Sequence, residues 1–375
     1  MVATTPADRP MTEEADFLKI NSIDHIHWWV GNAKQAMYYW WHAFGFKPVA
    51  YSGLETGNRK FASYVLESGT IRFVISAPYK PSHEMAAHQL LHGDGVKIVA
   101  LGVDDVAQAY EATTSRGAVG EWSPREEKDE HGILRTAAIK TYGEVLHVFV
   151  DRSDYNGAFA PTYKAIDYPV ESAGLAAVDH IVGNVELGKM NFWCDFYRDV
   201  MGFERYITFD DKDISTEYSA LMSIVMSDGG HNIKFPINEP AEGKGGKSQI
   251  QEYIDFYRSA GAQHVALLCK DVRQTVAKLQ ANGVEFLRVP DTYYDEIPAR
   301  VGAIDEDIED LKRLGILVDR DDEGYLLQIF TKPVEDRPTV FYEILQRKGC
   351  KGFGKGNFKA LFVSIEEEQR RRGNL

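Results

Sequence analysis

Two histidines and one glutamate are the side chains of this 375-residue chain whose type and setting best suit chemistry. Glu343 lies among apolar residues in an alternating, strand-like segment, and His180 and His264 lie in two other strand-like segments. A lone carboxylate in such a strand is costly to bury unless it is paired or binds a metal. The three residues therefore predict a divalent metal site. The alternative is that both histidines are satisfied core residues and that Glu343 faces the surface.

An internal repeat relates these residues to one another. Residues 177–210 repeat the order of residues 20–53: a strand with Asp-His, a helix with apolar residues at helical spacing, and then Gly-Phe. The segment HVALLCKDVRQTVAKLQANGVEF (264–286) likewise resembles IVALGVDDVAQAYEATTSRGA (98–118). Each half of the chain thus reads as strand–helix–strands followed by strand–helix–strands.

The repeat shows which half of the chain carries the polar residues that suit a metal. The first half has His25, Ile98 and Val148 at the three positions where the second half has His180, His264 and Glu343. Two neutral imidazoles and one carboxylate match the facial triad of non-haem Fe(II) oxygenases, which leaves coordination positions open. His25 has no such partners, so we interpret it as structural.

Composition excludes several classes of protein. A net charge of −14 argues against nucleic acid or an anionic membrane surface as a partner. The three cysteines lack zinc-site spacing, which is typical of reduced thiols in a cytoplasmic protein. No apolar run approaches the roughly 18 residues of a membrane-spanning helix, and the N-terminus lacks the pattern of a signal peptide.

Longer stretches of the second half resemble one known family. The chain is similar to the 4-hydroxyphenylpyruvate dioxygenases in FPINEP (235–240), KSQIQEY (247–253), AQHVALL (262–268), LLQIFTKP (326–333), DRPTVFYEILQR (336–347) and GFGKGNFKALFVSIEEEQ (352–369). The resemblance implies an α+β, duplicated vicinal-oxygen-chelate (glyoxalase/extradiol dioxygenase-like) fold of paired βαβββ modules with a C-terminal lid helix. It also implies Fe(2+) held by His180, His264 and Glu343, and conversion of 4-hydroxyphenylpyruvate and O₂ to homogentisate and CO₂ in tyrosine catabolism.

Repeat and resemblance together divide the chain. We expect a flexible N-terminal arm, a metal-free structural domain, a linker, a catalytic iron domain, and a lid helix with its tail. Their predicted bounds are 1–20, 21–154, 155–174, 175–350 and 351–375. The resemblance further implies a homodimer or homotetramer.

The resemblance also implies the lining of a substrate pocket. The polar residues that it places around the substrate are Ser223, Asn238, Gln249, Gln263 and Gln328. The residues that it assigns to substrate binding are Pro236, Phe330, Phe341, Phe353, Asn357, Phe358 and Leu361. Phe330 and Phe358 form the pair that sandwiches the substrate ring. Because Gln263 precedes His264, regular alternation along the strand would point its side chain away from the metal.

Three other functions compete with this one. 4-Hydroxymandelate synthase resembles the same family and uses the same substrate and metal, but hydroxylates the benzylic carbon; Ser223, Asn238 and the aromatic pair favour attack on the ring. An extradiol ring-cleaving dioxygenase is a weaker alternative, because the polar pocket segments do not resemble that family. A non-catalytic binding protein of the same fold would not need the His-His-Glu set.

Overall fold

The computed structural model describes residues 17–209, 221–241 and 247–374, and residues 1–16 of the predicted arm lie outside this part. The first half forms a nine-stranded sheet with three helices. Its strands are β1 Ile20–Trp29, β2 Lys47–Ser52, β3 Phe61–Ser68, β4 Ile71–Pro78, β5 Gly95–Val103, β6 Gly120–Asp129, β7 Gly132–Lys140, β8 Leu146–Asp151 and β9 Lys164–Ala165. Its helices are α1 Ala33–His42, α2 Glu84–His92 and α3 Val106–Thr114.

The second half forms an eight-stranded sheet. Its strands are β10 Leu175–Asn184, β11 Glu204–Phe209, β12 Leu221–Ser227, β13 Lys234–Pro240, β14 Gly261–Cys269, β15 Leu317–Arg320, β16 Tyr325–Phe330 and β17 Phe341–Lys348. Its helices are α4 Met190–Asp199, α5 Gln249–Tyr257, α6 Val272–Ala281, α7 Thr292–Asp295, α8 Ile297–Arg300, α9 Ile308–Leu314 and α10 Phe358–Arg372.

Strand pairing confirms the predicted modules. The sheets run β6-β7-β8-β5-β1-β4-β3-β2-β9 and β11-β12-β13-β10-β14-β17-β16-β15. In each sheet the first strands of the two modules pair antiparallel at the centre, β1 with β5 and β10 with β14. Each of these four strands pairs in parallel with the last strand of its own module. Both halves are therefore paired βαβββ units.

The register of strand pairing, like the topology, repeats between the two sheets. Ile98 lies opposite Leu146 in the first sheet, and His264 lies opposite Phe341 at the matching place in the second. Both central strand pairs also skip one residue just before the repeated histidine, between Ile23 and His25 and between residues 178 and 180. Such β-bulges place two consecutive side chains in one neighbourhood.

Local sequence signals define the module helices. Asp105 and Asp271 precede α3 and α6, and each side chain caps a backbone N–H of the first turn. Gly45 and Gly202 follow α1 and α4 with φ of 70° and 71°, a conformation that costs glycine little. The strands that they introduce are thereby set at equivalent angles.

The two halves share one apolar core. Tyr342 of β17 packs its ring 4.7 Å from that of Trp40 and 5.5 Å from that of Phe44, both in the first half. The segment predicted as a linker is docked on the first sheet, because β9 pairs with β2. Among the residues that the structure describes, no helix has the length and apolar character needed to span a bilayer.

Candidate metal centre

Three neighbouring strands bring the predicted ligands together. His180, His264 and Glu343 lie on β10, β14 and β17, which are adjacent in the sheet. Glu343 Oε2 lies 3.2 Å from His180 Nε2 and 3.5 Å from His264 Nε2. Ligands bound to one ion at about 2.0–2.2 Å are themselves about 3 Å apart. The donor set and its spacing therefore fit a single divalent transition metal.

A second layer of hydrogen bonds orients both imidazoles. His180 Nδ1 donates to Asp179 (2.8 Å), and the guanidinium of Arg347 donates twice to the same carboxylate, at 2.7 and 2.8 Å. His264 Nδ1 lies 3.1 Å from Gln263 Oε1. Because Nδ1 is engaged on each ring, Nε2 is the nitrogen that faces Glu343 and that would ligate a metal.

The prediction that Gln263 points away from the metal is wrong. Its amide contacts His264 and lies on the wall of the same cavity. In the pairing of β10 with β14, Val182 lies opposite His264 and Gly183 lies opposite Ala262, so Gln263 is the extra residue of a β-bulge. The bulge breaks the alternation on which the prediction relied.

The electrostatics of the three ligands favour an ionised carboxylate. Burial raises the pKa of Glu343, but its hydrogen bonds to the two imidazoles outweigh burial and hold the pKa at about 2. Burial lowers the pKa of His180, which its hydrogen bonds to Asp179 and Glu343 then raise above the ordinary value. The pKa of His264 is lowered, chiefly by burial. An anionic carboxylate between imidazoles is a setting suited to a cation.

These ligands lie on the wall of a cavity with a free volume of about 80 Å³. The cavity is lined by His180, Val182, Phe209, Leu221, Ser223, Val225, Pro236, Asn238, Gln249, Gln263, His264, Gln328, Phe330, Phe341, Glu343, Phe353, Phe358, Leu361 and Phe362. None of these described lining residues is a lysine or arginine. Amides, one hydroxyl and phenyl rings supply most of the remaining surface.

Two of the phenyl rings hold the metal ligands in place. Phe341 stacks on His264, with ring centroids 4.7 Å apart and planes 22° apart. Phe353 meets His180 edge to face at 5.0 Å. Phe358, from the first turn of α10, meets Phe209 at 5.0 Å on the other side of the cavity lining. Aromatic packing therefore limits the rotation of both imidazoles.

A buried polar chain sets the orientation of Gln328. Arg300 Nη2 donates to the Tyr293 hydroxyl (2.8 Å), and this hydroxyl donates to Asn357 Oδ1 (2.6 Å). Asn357 Nδ2 then donates to Gln328 Oε1 (3.3 Å). Because its carbonyl oxygen is engaged, Gln328 has its N–H groups left to offer to the cavity. A Cβ at Gly354 would lie 2.0 Å from Gln328 Oε1, so this turn needs glycine.

Helix α10 closes the cavity and is tied down at its far end. Leu361 and Phe362 supply part of the lining. Near the C-terminus, Arg372 and Asn374 both donate to the buried carboxylate of Glu252 on α5 (2.9 and 2.8 Å). The helix is thus anchored to the same α5 whose first residue, Gln249, lines the cavity.

Of the site residues predicted from sequence, all but Asn357 lie on the cavity. Asn357 is fully buried behind Gln328, so it contacts the lining rather than the cavity. Sequence reasoning missed the orienting pair Asp179 and Arg347. A signal was present, because Asp-His and the arginine recur in both halves as Asp24, His25 and Arg152.

Comparison with known proteins agrees with the fold. The model of the Glyoxalase/Bleomycin resistance protein/Dioxygenase superfamily matches residues 22–150 and 177–329. A 4-hydroxyphenylpyruvate dioxygenase of Tetrahymena thermophila is 48% identical over 98% of this chain and 95% of its own length. One from Aspergillus fumigatus is 46% identical, with 99% and 97% covered. The solved structure of a mutant 4-hydroxymandelate synthase from Streptomyces coelicolor matches at 30% identity with a TM-score of 0.82, covering 93% of this chain and 99% of that one. Identity at this level over nearly the whole length shows that the chain belongs to the 4-hydroxyphenylpyruvate dioxygenase family.

Proposed function

We propose that this protein is an Fe(2+)-dependent dioxygenase that converts 4-hydroxyphenylpyruvate and O₂ to homogentisate and CO₂ in tyrosine catabolism. The observation that carries the proposal is the convergence of His180, His264 and Glu343 on a cavity lined by amides and phenyl rings. Two imidazoles and one carboxylate leave positions open for a bidentate ligand and O₂. We assign iron because this donor set matches the facial triad of non-haem Fe(II) oxygenases and because the reaction activates O₂.

The charge of the cavity supports a 2-oxo acid as the substrate. Among the lining residues that the structure describes, there is no lysine or arginine to meet a carboxylate, and Glu343 is the one acidic side chain. A divalent cation held by Glu343 leaves one net positive charge, which a monoanionic acid neutralises. We therefore assign recognition of the carboxylate and keto oxygens to the metal and recognition of the ring to the protein.

The protein's own residues bind, orient and shield the substrate. Phe330 and Phe358 sandwich the ring, and Ser223, Asn238 and Gln328 offer it neutral hydrogen-bonding groups. When bound, Fe(2+) supplies the Lewis acidity and the redox chemistry that activates O₂. One oxygen atom completes the new carboxylate and the other becomes the ring hydroxyl, while the original carboxylate leaves as CO₂. Helix α10 excludes water, which protects reactive species from side reactions.

A second candidate is 4-hydroxymandelate synthase, the name of the solved structure at 30% identity, which is less similar than the dioxygenases at 46–48% identity. It requires the same cavity and metal but a different position of the side chain relative to the reacting oxygen. Product identity separates the two. The protein is loaded with Fe(2+) and ascorbate under anaerobic conditions, mixed with 4-hydroxyphenylpyruvate and exposed to O₂, and the product is identified by mass and NMR. Homogentisate supports the proposal, and 4-hydroxymandelate would replace it with the second candidate.

The repeat offers a matched control for the ligands. We expect Glu343→Gln and His180→Gln to abolish turnover while the chain stays folded. His25→Gln removes the equivalent histidine of the first half, which has no metal partners, and we expect its turnover to match that of the wild type. Full activity of Glu343→Gln with iron still bound would contradict the ligand assignment, and no O₂ uptake by iron-loaded wild type would contradict the enzyme itself.

We also propose the finer points that the family resemblance implies. Residues 21–154 act as a structural domain without the catalytic metal, and residues 175–350 act as the catalytic iron domain. Assembly into a homodimer or homotetramer is supported by exposed apolar side chains such as Leu90 and Phe192, which are 80% and 61% exposed. A cytoplasmic location is supported by three buried cysteines that form no disulfide, Cys194, Cys269 and Cys350.

A further inference from the structure

A second group of histidine and carboxylate side chains lies outside the cavity, at the junction of the two halves. His88 and His92 are one helical turn apart on α2 and face Glu144, in the turn before β8. Glu144 Oε2 lies 2.7 Å from His88 Nδ1 and 3.5 Å from His92 Nε2. The corresponding distances at the metal centre are 3.2 and 3.5 Å. The two groups therefore have the same donor set at similar spacing.

Hydrogen bonding fixes which nitrogen of His92 faces the carboxylate. His92 Nδ1 lies 2.5 Å from the carbonyl oxygen of Tyr257, which can only accept a hydrogen bond. Nδ1 must therefore carry the proton, and the lone pair of the neutral ring is on Nε2. His88 faces Glu144 through Nδ1 and His92 faces it through Nε2, and two histidines one helical turn apart can chelate Zn(II) together.

Burial provides an independent observation. The Nε2 atoms of both histidines are buried and have no hydrogen-bond partner within the described structure. Leaving such an atom unsatisfied is costly, whereas a bound cation would use the lone pair of His92 Nε2. Glu144 is only half-buried, since 44% of its side chain is exposed, so an ion can enter from solvent on that side.

One group competes with a cation here. Lys97 Nζ lies 3.7 Å from Glu144 Oε2 and 4.9 Å from the centre of the Trp29 ring. Its ammonium neutralises the carboxylate in the absence of metal and must move aside when a metal binds. Lys97 and Gln263 occupy equivalent positions in the two halves, because Lys97 precedes Ile98 and Gln263 precedes His264. The first half thus has a charged side chain at the position where the second half has a neutral one.

We propose that His88, His92 and Glu144 form a second site, of the zinc class, for a divalent transition metal. Its role is structural. It ties α2 to the end of α5, because His92 also contacts Tyr257, the last residue of that helix. Helix α5 leads directly into β14, which carries His264. A metal here therefore stabilises the junction of the halves without contacting substrate.

The test counts metal ions on the full-length chain. After removal of metals with a chelator, Zn(II) binding is measured by equilibrium dialysis with elemental analysis. We expect about two Zn(II) per chain for the wild type and about one for Glu144→Gln. In this variant the site formed by His88 and His92 should lose at least tenfold in Zn(II) affinity. Glu84→Gln, which removes a carboxylate from the first turn of the same helix, serves as the matched control and should bind two.

Two further measurements make the outcome decisive. Lys97→Met removes the competing ammonium, so Zn(II) affinity at the second site should rise severalfold. Zn(II) should also raise the melting temperature of Glu343→Gln, in which the catalytic site is impaired, more than that of a double variant that also carries Glu144→Gln. A single Zn(II) on the wild type, or unchanged binding in both Glu144→Gln and Lys97→Met, would overturn the proposal. These readouts do not depend on turnover, so they are separate from the test of the reaction.

Discussion

The hydrogen bond from His180 to Asp179 offers a sharp test of how the chain controls its metal centre, because the first half contains a copy of it. Asp24 accepts from His25 Nδ1 at 2.6 Å and from the guanidinium of Arg152 at 2.7 and 3.0 Å. The same three contacts surround Asp179. Only the second copy belongs to a metal site, so the pair of variants Asp179→Asn and Asp24→Asn separates metal control from stability.

The size of each effect can be worked out from these contacts. In either variant the partly buried arginine loses its charged partner, and the new amide N–H faces other donors. Breaking a fully buried ion pair costs about 3–5 kcal/mol of unfolding free energy, so we expect losses below this value in both variants. Loss of a carboxylate behind a ligating histidine lowers metal affinity about 10–100-fold, or about 1.4–2.7 kcal/mol, and we expect this only for Asp179→Asn.

The assay combines two measurements on each variant. Denaturant unfolding gives the stability of the metal-free chain, and competition with a chelator gives its Fe(2+) affinity. The reasoning would be refuted if folded Asp179→Asn kept the metal affinity of the wild type. An equal loss of affinity in Asp24→Asn would refute it as well, because the effect would then come from general destabilisation.

Two other predictions concern pH and the lid. Burial lowers the pKa of His147 to about 4, so between about pH 6.5 and pH 4 the unfolded chain binds a proton that the folded chain does not. The free energy of unfolding should therefore fall by up to roughly 3 kcal/mol as pH drops from about 6.5 to 4. Urea unfolding should show a smaller fall in His147→Gln. Gly354→Ala should lower kcat/KM at least tenfold, because the new Cβ displaces Gln328. Gly373 is the control, because it has a similar φ of 73° but open space around it. Gly373→Ala should cost about 1 kcal/mol of stability and leave kcat/KM unchanged. Equal losses of kcat/KM in the two variants would contradict the role of Gln328.

Sequence alone predicted the repeat, the βαβββ order and the ligand set, because each leaves a strong pattern. Apolar periodicity and glycine stops identify the module strands and helices, and equivalent positions in two copies show which residues depart from a packed core. The lid helix predicted within residues 351–375 begins at Phe358 in the structure, after a single turn of 3-10 helix.

Features without a periodic pattern were not predictable. The β-bulges that place Asp179 beside His180 and Gln263 beside His264 depend on pairing between strands distant in sequence. The four-residue helices α7 and α8 are too short for an amphipathic repeat, yet they supply Tyr293 and Arg300 to the chain that orients Gln328. Such supporting contacts come from tertiary packing and leave little trace in the local sequence.

The first half contributes to the candidate metal centre through the strand that bears Glu343. Alternation along β17 turns Glu343 toward the cavity and Tyr342 toward the opposite face. There Tyr342 is almost fully buried and packs against Trp40 and Phe44 of the first half. In the first half, the place that corresponds to Glu343 is taken by Val148, in a small apolar cluster that leaves no ligand for a metal. Because two aromatic contacts hold Tyr342 from behind, β17 resists the small shifts that would separate Glu343 from the two imidazoles. The first half has Ile98 and Val148 where the second half has metal ligands, but it provides the rigid support that a metal site needs.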